Sequence, residues 1–245
     1  MNKRFLIIKT GSTLPSLLAL GEDFEAWFVW EAGLVTDDVV VCSIHLHEKL
    51  PDLATVDGII VTGSPAFLTD FESWNSIAAE YLRSAHAQDI PILGVCYGHQ
   101  LVAWAFGGTV DFHPRGREIG TVAIELTACG RDDQLFASLP DSFKVQTSHL
   151  QSVTKLPAEA VLLAGNDFEP NHAFRIGQST WGLQFHPEFS EDIIRAYITE
   201  RREVISEEGM NPDFLLQQIE PTPEAASMLT RFVNVVEVKT QSSKL

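Results

Sequence analysis

Cys96 stands between two glycines in Gly94-Val95-Cys96-Tyr97-Gly98-His99-Gln100, where an apolar run ends and a helix-like pattern begins. A Gly-x-Cys-x-Gly turn lets a strand and a helix approach closely around one strained residue, whose side chain then projects from the sheet end. The position at a helix N-terminus also favours a thiolate, because the helix dipole and free N–H groups stabilise negative charge. A thiolate nucleophile needs a base, and the base needs an orienting group. Gly182-Leu183-Gln184-Phe185-His186-Pro187-Glu188 offers both. In an extended chain residues i and i+2 share a face, so Glu188 can accept from one imidazole nitrogen of His186 while the other faces Cys96. Alone, the cysteine turn favours a nucleophile over an inert buried cysteine, whereas His-Pro-Glu alone favours a satisfied histidine beside a solvated glutamate. Together they point to acyl transfer at sulfur.

Short apolar runs position these groups. Phe5–Ile8, Val39–Val41, Gly58–Val61 and Pro91–Val95 read as buried strands, and Phe24–Trp30, Trp74–Ala87 and Gln100–Phe106 as helices between or after them. Non-alternating strands interleaved with helices predict an α/β doubly wound core, a mostly parallel sheet covered on both faces. From Thr109 to Phe185 the pattern changes. Segments 121–126, 142–147, 160–164, 173–176 and 180–185 follow one another with little helix between them, as antiparallel strands extending one sheet edge. Helices return at 192–204, 213–218 and 223–236, the last with Thr222 as N-cap and Pro223 at the first helical position. One domain over 1–245 is expected, with a core of about 4–200 and a helical extension of about 201–245.

The balance of 17 Lys+Arg against 33 Asp+Glu, a net charge of −16, argues against a nucleic-acid binder and against docking on an anionic membrane. The 45% hydrophobic content, with 15 Phe and 5 Trp, is that of a packed globular enzyme. Lys3 and Arg4 precede an apolar run that Lys9 interrupts, so no targeting or membrane-spanning segment is expected. Cys42, Cys96 and Cys129 build neither a disulfide framework nor a zinc signature, which makes the cytoplasm the expected compartment. His45 and His47 share a face, but no carboxylate or cysteine completes a metal set. His86, His99, His113 and His172 have no constellation, the 206–208 acidic run reads as a solvated face, and Trp27, Phe28 and Trp30 as core.

Gly-Val-Cys-Tyr-Gly-His-Gln followed by Gln-Phe-His-Pro-Glu resembles the class I glutamine amidotransferase family over roughly residues 4–200, in motif content and order. The resemblance implies a flavodoxin-like fold and a triad of Cys96 as nucleophile, His186 as base and acid, and Glu188 as orienter. An oxyanion hole would be made by the backbone N–H groups of Tyr97 and Ser64, the latter in Thr62-Gly63-Ser64-Pro65, where the family usually carries Gly-Gly-Pro. Gly63, Gln100, Ser148 and His149 are the implied substrate contacts. Gln151 stands where related members often carry an acidic residue, a departure that leaves the γ-glutamyl substrate open. Arg115, Arg117 and Glu118 border the implied site without a catalytic role.

The expected reaction is hydrolysis of the glutamine side-chain amide through a γ-glutamyl thioester, with no metal and no cofactor. The chain is similar to the glutaminase part of GMP synthase and carries no P-loop, so ammonia would pass to a synthetase partner in trans. The alternative is a γ-glutamyl peptidase. A non-catalytic binding or regulatory protein is the remaining reading, and the intact Cys96, His186 and Glu188 weigh against it.

Overall fold

A computed structural model describes residues 4–242; Lys3 and the outermost ends of the 1–245 span lie outside them. The first half alternates as its apolar runs predict: β1 (Phe5–Lys9), α1 (Pro15–Leu18), α2 (Phe24–Glu31), β2 (Val39–Ser43), β3 (Gly58–Val61), α3 (Ser73–Ala87), β4 (Ile92–Val95) and α4 (Tyr97–Ala105). The strand-rich middle holds β5 (Thr109–Phe112), β6 (Glu118–Leu126), α5 (Ala128–Arg131), β7 (Ser142–His149), β8 (Gln151–Lys155), β9 (Ala160–Gly165), β10 (Ala173–Ile176) and β11 (Thr180–Leu183). Four helices follow: α6 (Glu191–Glu200), α7 (Arg202–Glu207), α8 (Pro212–Gln217) and α9 (Pro223–Ser242).

Nine strands form one sheet in the order β2-β1-β3-β4-β11-β10-β9-β6-β7. The first five are parallel, the 2-1-3-4-5 order of a flavodoxin-like sheet, and the remainder are antiparallel additions. Both faces of β1 are buried. Phe5 and Ile7 enter the cluster covered by α2, α6 and α9, while Leu6 and Ile8 enter the one covered by α3 and α4. No helix among the described residues is long and apolar enough to cross a membrane.

The structure departs from the expected elements in four places. β5 pairs with β8 as a separate two-stranded sheet, because Thr109–Phe112 is mostly exposed and lies off the main edge. The helix expected over 192–204 is broken at Arg201, which ends α6 and starts α7. The helix after Cys96 begins at Tyr97, a turn earlier than the periodicity of 100–106 suggests. Trp30 is 82% exposed rather than core, since α2 turns Trp27 and Phe28 inward and carries Trp30 on its outer face.

Candidate active site

Three adjacent parallel strands deliver the predicted groups. β3 leads into Thr62-Gly63-Ser64-Pro65, β4 into Cys96, and β11 into the turn that carries His186. All three sit at carboxyl ends of strands, where open α/β sheets bind ligands. Cys96 has φ 52° and ψ −102°, a left-handed-side conformation held at the junction of β4 and α4. Its N–H donates to Leu183 O at 2.8 Å, which ties the turn to β11.

The flanking glycines act by close approach. A Cβ on Gly98 would lie 2.3 Å from Val61 O, and one on Gly94 would lie 2.3 Å from Gly98 O. Gly98 N–H donates to Thr62 O at 3.1 Å across this contact. The N–H of Tyr97, the first residue of α4, has no acceptor within its own helix. Beside it, the Ser64 hydroxyl donates to Thr10 O at 2.8 Å and accepts from Ala66 N–H at 3.1 Å. A serine here therefore ties down a loop that glycine would leave free.

His186 Nδ1 lies 2.7 Å from Glu188 Oε1. The residues between them form a turn rather than an extended strand, β11 having ended at Leu183 instead of Phe185. Proximity of the pair thus comes from the turn, not from the alternation expected. The imidazole is stacked on Phe189, with ring centroids 3.9 Å apart, and shares a cavity wall with Cys96. Burial opposes a charged imidazole. The Glu188 carboxylate, and then the sulfur, outweigh burial and push the His186 pKa up to about 10.

Two chambers meet at Cys96. One, of about 160 Å³, is lined by Tyr97, Gln100, Ser148, His149, Gln151 and Arg117 among others. The second, of about 300 Å³, is lined by Thr13, Leu14, Phe24, His186, Tyr197 and Arg201 among others. Ser64, Pro65, Cys96, Ser148 and Arg201 border both.

The predicted substrate contacts distribute unevenly around these chambers. Ser148 presents its carbonyl 3.9 Å from Cys96 Sγ. Gln100 lines the first chamber with its amide nitrogen committed to Gln151 O and Gln184 Oε1, at 3.0 and 3.1 Å. Both ring nitrogens of His149 are engaged, with Gln151 O and Glu118 Oε2, each at 3.0 Å. Gly63 is outside both linings, and a Cβ there would lie 3.0 Å from His186 Cε1. Gln151 spends its side chain on Leu68 N–H and the Thr69 hydroxyl, so it fixes a loop bordering the first chamber.

Sequence reasoning missed several neighbours. Glu118 is buried with its Oε2 3.0 Å from His149 Nε2 and 3.1 Å from His172 Nε2, a buried cluster rather than part of a bordering loop, and His172 therefore does belong to a constellation. Burial would raise the Glu118 pKa, but hydrogen bonds from the two histidines reverse this and hold it well below the usual carboxylate range. Arg117 pairs with Glu208 through Nε and Nη2 at 2.8 and 3.0 Å, so the 206–208 run is not wholly solvated. Arg201 reaches the site only because α6 stops there. A charged residue inside a helical pattern gives no such signal.

A model of the family described as glutamine amidotransferase class-I matches residues 32–202. This chain belongs to that family. A GMP synthase (glutamine-hydrolysing) of Porphyromonas gingivalis is 40% identical over 149 residues, 60% of this chain and 28% of that protein. A γ-glutamyl-L-1-hydroxyisopropylamide hydrolase of a Pseudomonas species is 31% identical over 192 residues, 76% of this chain and 64% of that protein. The chain thus spans less than two thirds of the length of either relative. Among solved structures, glutamine amidotransferases of Thermotoga maritima and Methylobacillus flagellatus align with TM-scores of 0.76 and 0.74, at 21% and 20% identity. The first alignment covers 96% of this chain and 98% of its match, the second 98% and 95%. These two share the fold of this class I glutamine amidotransferase chain.

Proposed function

We propose that this chain hydrolyses a γ-glutamyl amide bond by covalent catalysis, with Cys96 as nucleophile, His186 as base and acid, and Glu188 as orienter. Glutamine is the smallest such substrate. The observation that carries the reading is Cys96 on a strained turn in one cavity wall with His186, whose Nδ1 lies 2.7 Å from Glu188 Oε1.

Sulfur attacks the amide carbonyl, forming the C–S bond, and negative charge gathers on oxygen. The N–H groups of Tyr97 and Ser64 serve as the oxyanion donors, Tyr97 by its place at the head of α4. As the C–N bond breaks, His186 gives its proton to the departing nitrogen. A water then loses its proton to His186 and attacks the thioester, which frees glutamate and restores the sulfur. Where the leaving group is ammonia, an acceptor synthetase in trans consumes it. The relatives support the bond type: one is named for glutamine hydrolysis and one for a γ-glutamyl amide.

Cys96→Ser and His186→Asn test the reading by steady-state hydrolysis of glutamine and a γ-glutamyl amide. Both variants are expected to fold and to lose turnover. Hydrolysis at the wild-type rate in either one overturns the assignment.

A further inference from the structure

The two chambers at Cys96 divide the substrate. When the amide carbonyl sits on Sγ, the acyl half must lie by the Tyr97 N–H and Gln100, in the first chamber. The nitrogen must meet His186, which lines only the second. The second chamber is therefore the leaving group's.

Its size and lining do not suit ammonia. It encloses about 300 Å³, whereas a water-sized molecule takes about 30 Å³. Leu14, Pro15 and Phe24 give it apolar walls that contribute nothing to an ammonia molecule. Arg201, on the border shared with the first chamber, supplies a fixed cation, its guanidinium packed 4.6 Å over the Tyr197 ring, with Nη1 buried and lacking a hydrogen-bond partner. A guanidinium repels ammonium and attracts carboxylate, and an unpaired one so shielded calls for an anion.

The chamber is also braced. Asp23 accepts from Thr13 N–H and Phe24 N–H at 2.9 and 2.8 Å, and the buried Lys9 pairs with Asp23 behind them. The Thr13 hydroxyl meets Tyr197 OH at 2.8 Å, joining this wall to α6. Such support is what a binding site on fixed elements requires.

We propose that the preferred substrate is a γ-glutamyl amino acid with an apolar side chain, the carboxylate of its leaving amine held by Arg201. This narrows the leaving group of the γ-glutamyl amide hydrolase proposed above and rests on that reading. The reaction balances in the same way: the C–N bond breaks, His186 supplies the proton, and a free amino acid leaves in place of ammonia.

The test compares kcat/KM for γ-glutamyl-valine, its C-terminal carboxamide and glutamine, in wild type, Arg201→Gln and Arg201→Lys. Wild type is expected to favour γ-glutamyl-valine over both others by about 10-fold or more, as a charged hydrogen-bonded pair gives. That preference over the carboxamide should collapse toward unity in R201Q and recover in part in R201K, which keeps the charge. Because each readout is a ratio within one variant, partial loss of folded protein does not disturb it. Glutamine as the best substrate, or equal turnover of valine peptide and carboxamide in wild type, overturns the proposal and leaves the Cys96 hydrolase intact. An unchanged ratio in R201Q overturns it as well. Failure of the underlying reading looks different: none of the three compounds would be hydrolysed and none would acylate Cys96.

Discussion

Glu188 Oε1 approaches His186 Nδ1 to 2.7 Å, behind an imidazole that lines the same cavity as Cys96. The contact does two things. It fixes the tautomer and orientation of a ring already stacked on Phe189, and it stabilises the imidazolium.

The pH profile follows from that second effect. His186 is raised from 6.5 to about 10, so its protonated form persists through neutral pH. A raised histidine contributes stability that is fully present below 6.5 and lost as pH rises through about 10. In wild type the alkaline limb of kcat/KM should therefore lie near that upper value. In Glu188→Gln the main raising charge is gone, and the limb should move to lower pH. The variant should be about two orders of magnitude less damaging than loss of Cys96 or His186, since an orienter does not itself react. A limb that stays in place would mean that Glu188 does not charge the imidazole.

Gly98→Ala tests the packing beneath the nucleophile. The new Cβ would meet Val61 O at 2.3 Å, a backbone atom that cannot swing aside. α4 must then lift from β3, carrying Tyr97 N–H with it. We expect about 1–3 kcal/mol of destabilisation, the range for overpacking, together with a fall in kcat larger than the change in KM. Chemical denaturation and steady-state kinetics check both halves. Wild-type kcat in this variant would show that the elbow does not position the Tyr97 N–H.

Much of this was legible in the residues, for reasons that separate what could be read from what could not. Apolar runs such as Ile59-Ile60-Val61 have no polar face, which marks parallel strands buried on both sides. All four form, and β1, β3 and β4 are buried throughout, while β2 is the edge strand and leaves Val41 exposed. Cys96 and His186, read from separate motifs, line one cavity, and Glu188 lies 2.7 Å from His186. Arg201 and Glu118 could not be found that way. Their roles depend on a helix break and on His149 and His172 arriving from β7 and the segment before β10, which are contacts without local periodicity. His186-Pro187-Glu188 was readable as a pair but not as a turn, because the i, i+2 relation holds in either geometry.

The buried Glu118 cluster should act on stability more than on chemistry. Its lowered pKa means that stabilisation is present above 4.5 and is lost as pH falls from there toward the folded-state value. Glu118→Gln should cost about 1–3 kcal/mol at neutral pH, because the amide loses the carboxylate charge and its NH2 cannot accept from Asn166 Nδ2. It should also flatten the dependence of unfolding free energy on pH below 4.5. Equal stability of the two proteins at neutral pH would contradict this.

The nucleophile itself is open to direct labelling. Cys42 is buried, with burial and then Glu48 pushing its thiol pKa up, while Cys129 is exposed. An unspecific alkylating reagent should therefore reach Cys129. A γ-glutamyl electrophile at low concentration should instead modify Cys96, the one cysteine that lines the cavity shared with His186 in the proposed mechanism. Peptide mapping by mass spectrometry after digestion, with and without a competing γ-glutamyl compound, reads the outcome. The account predicts label on Cys96 alone, suppressed by the competitor and absent from Cys96→Ser. Label spread evenly over the three cysteines, or confined to Cys129, would contradict it.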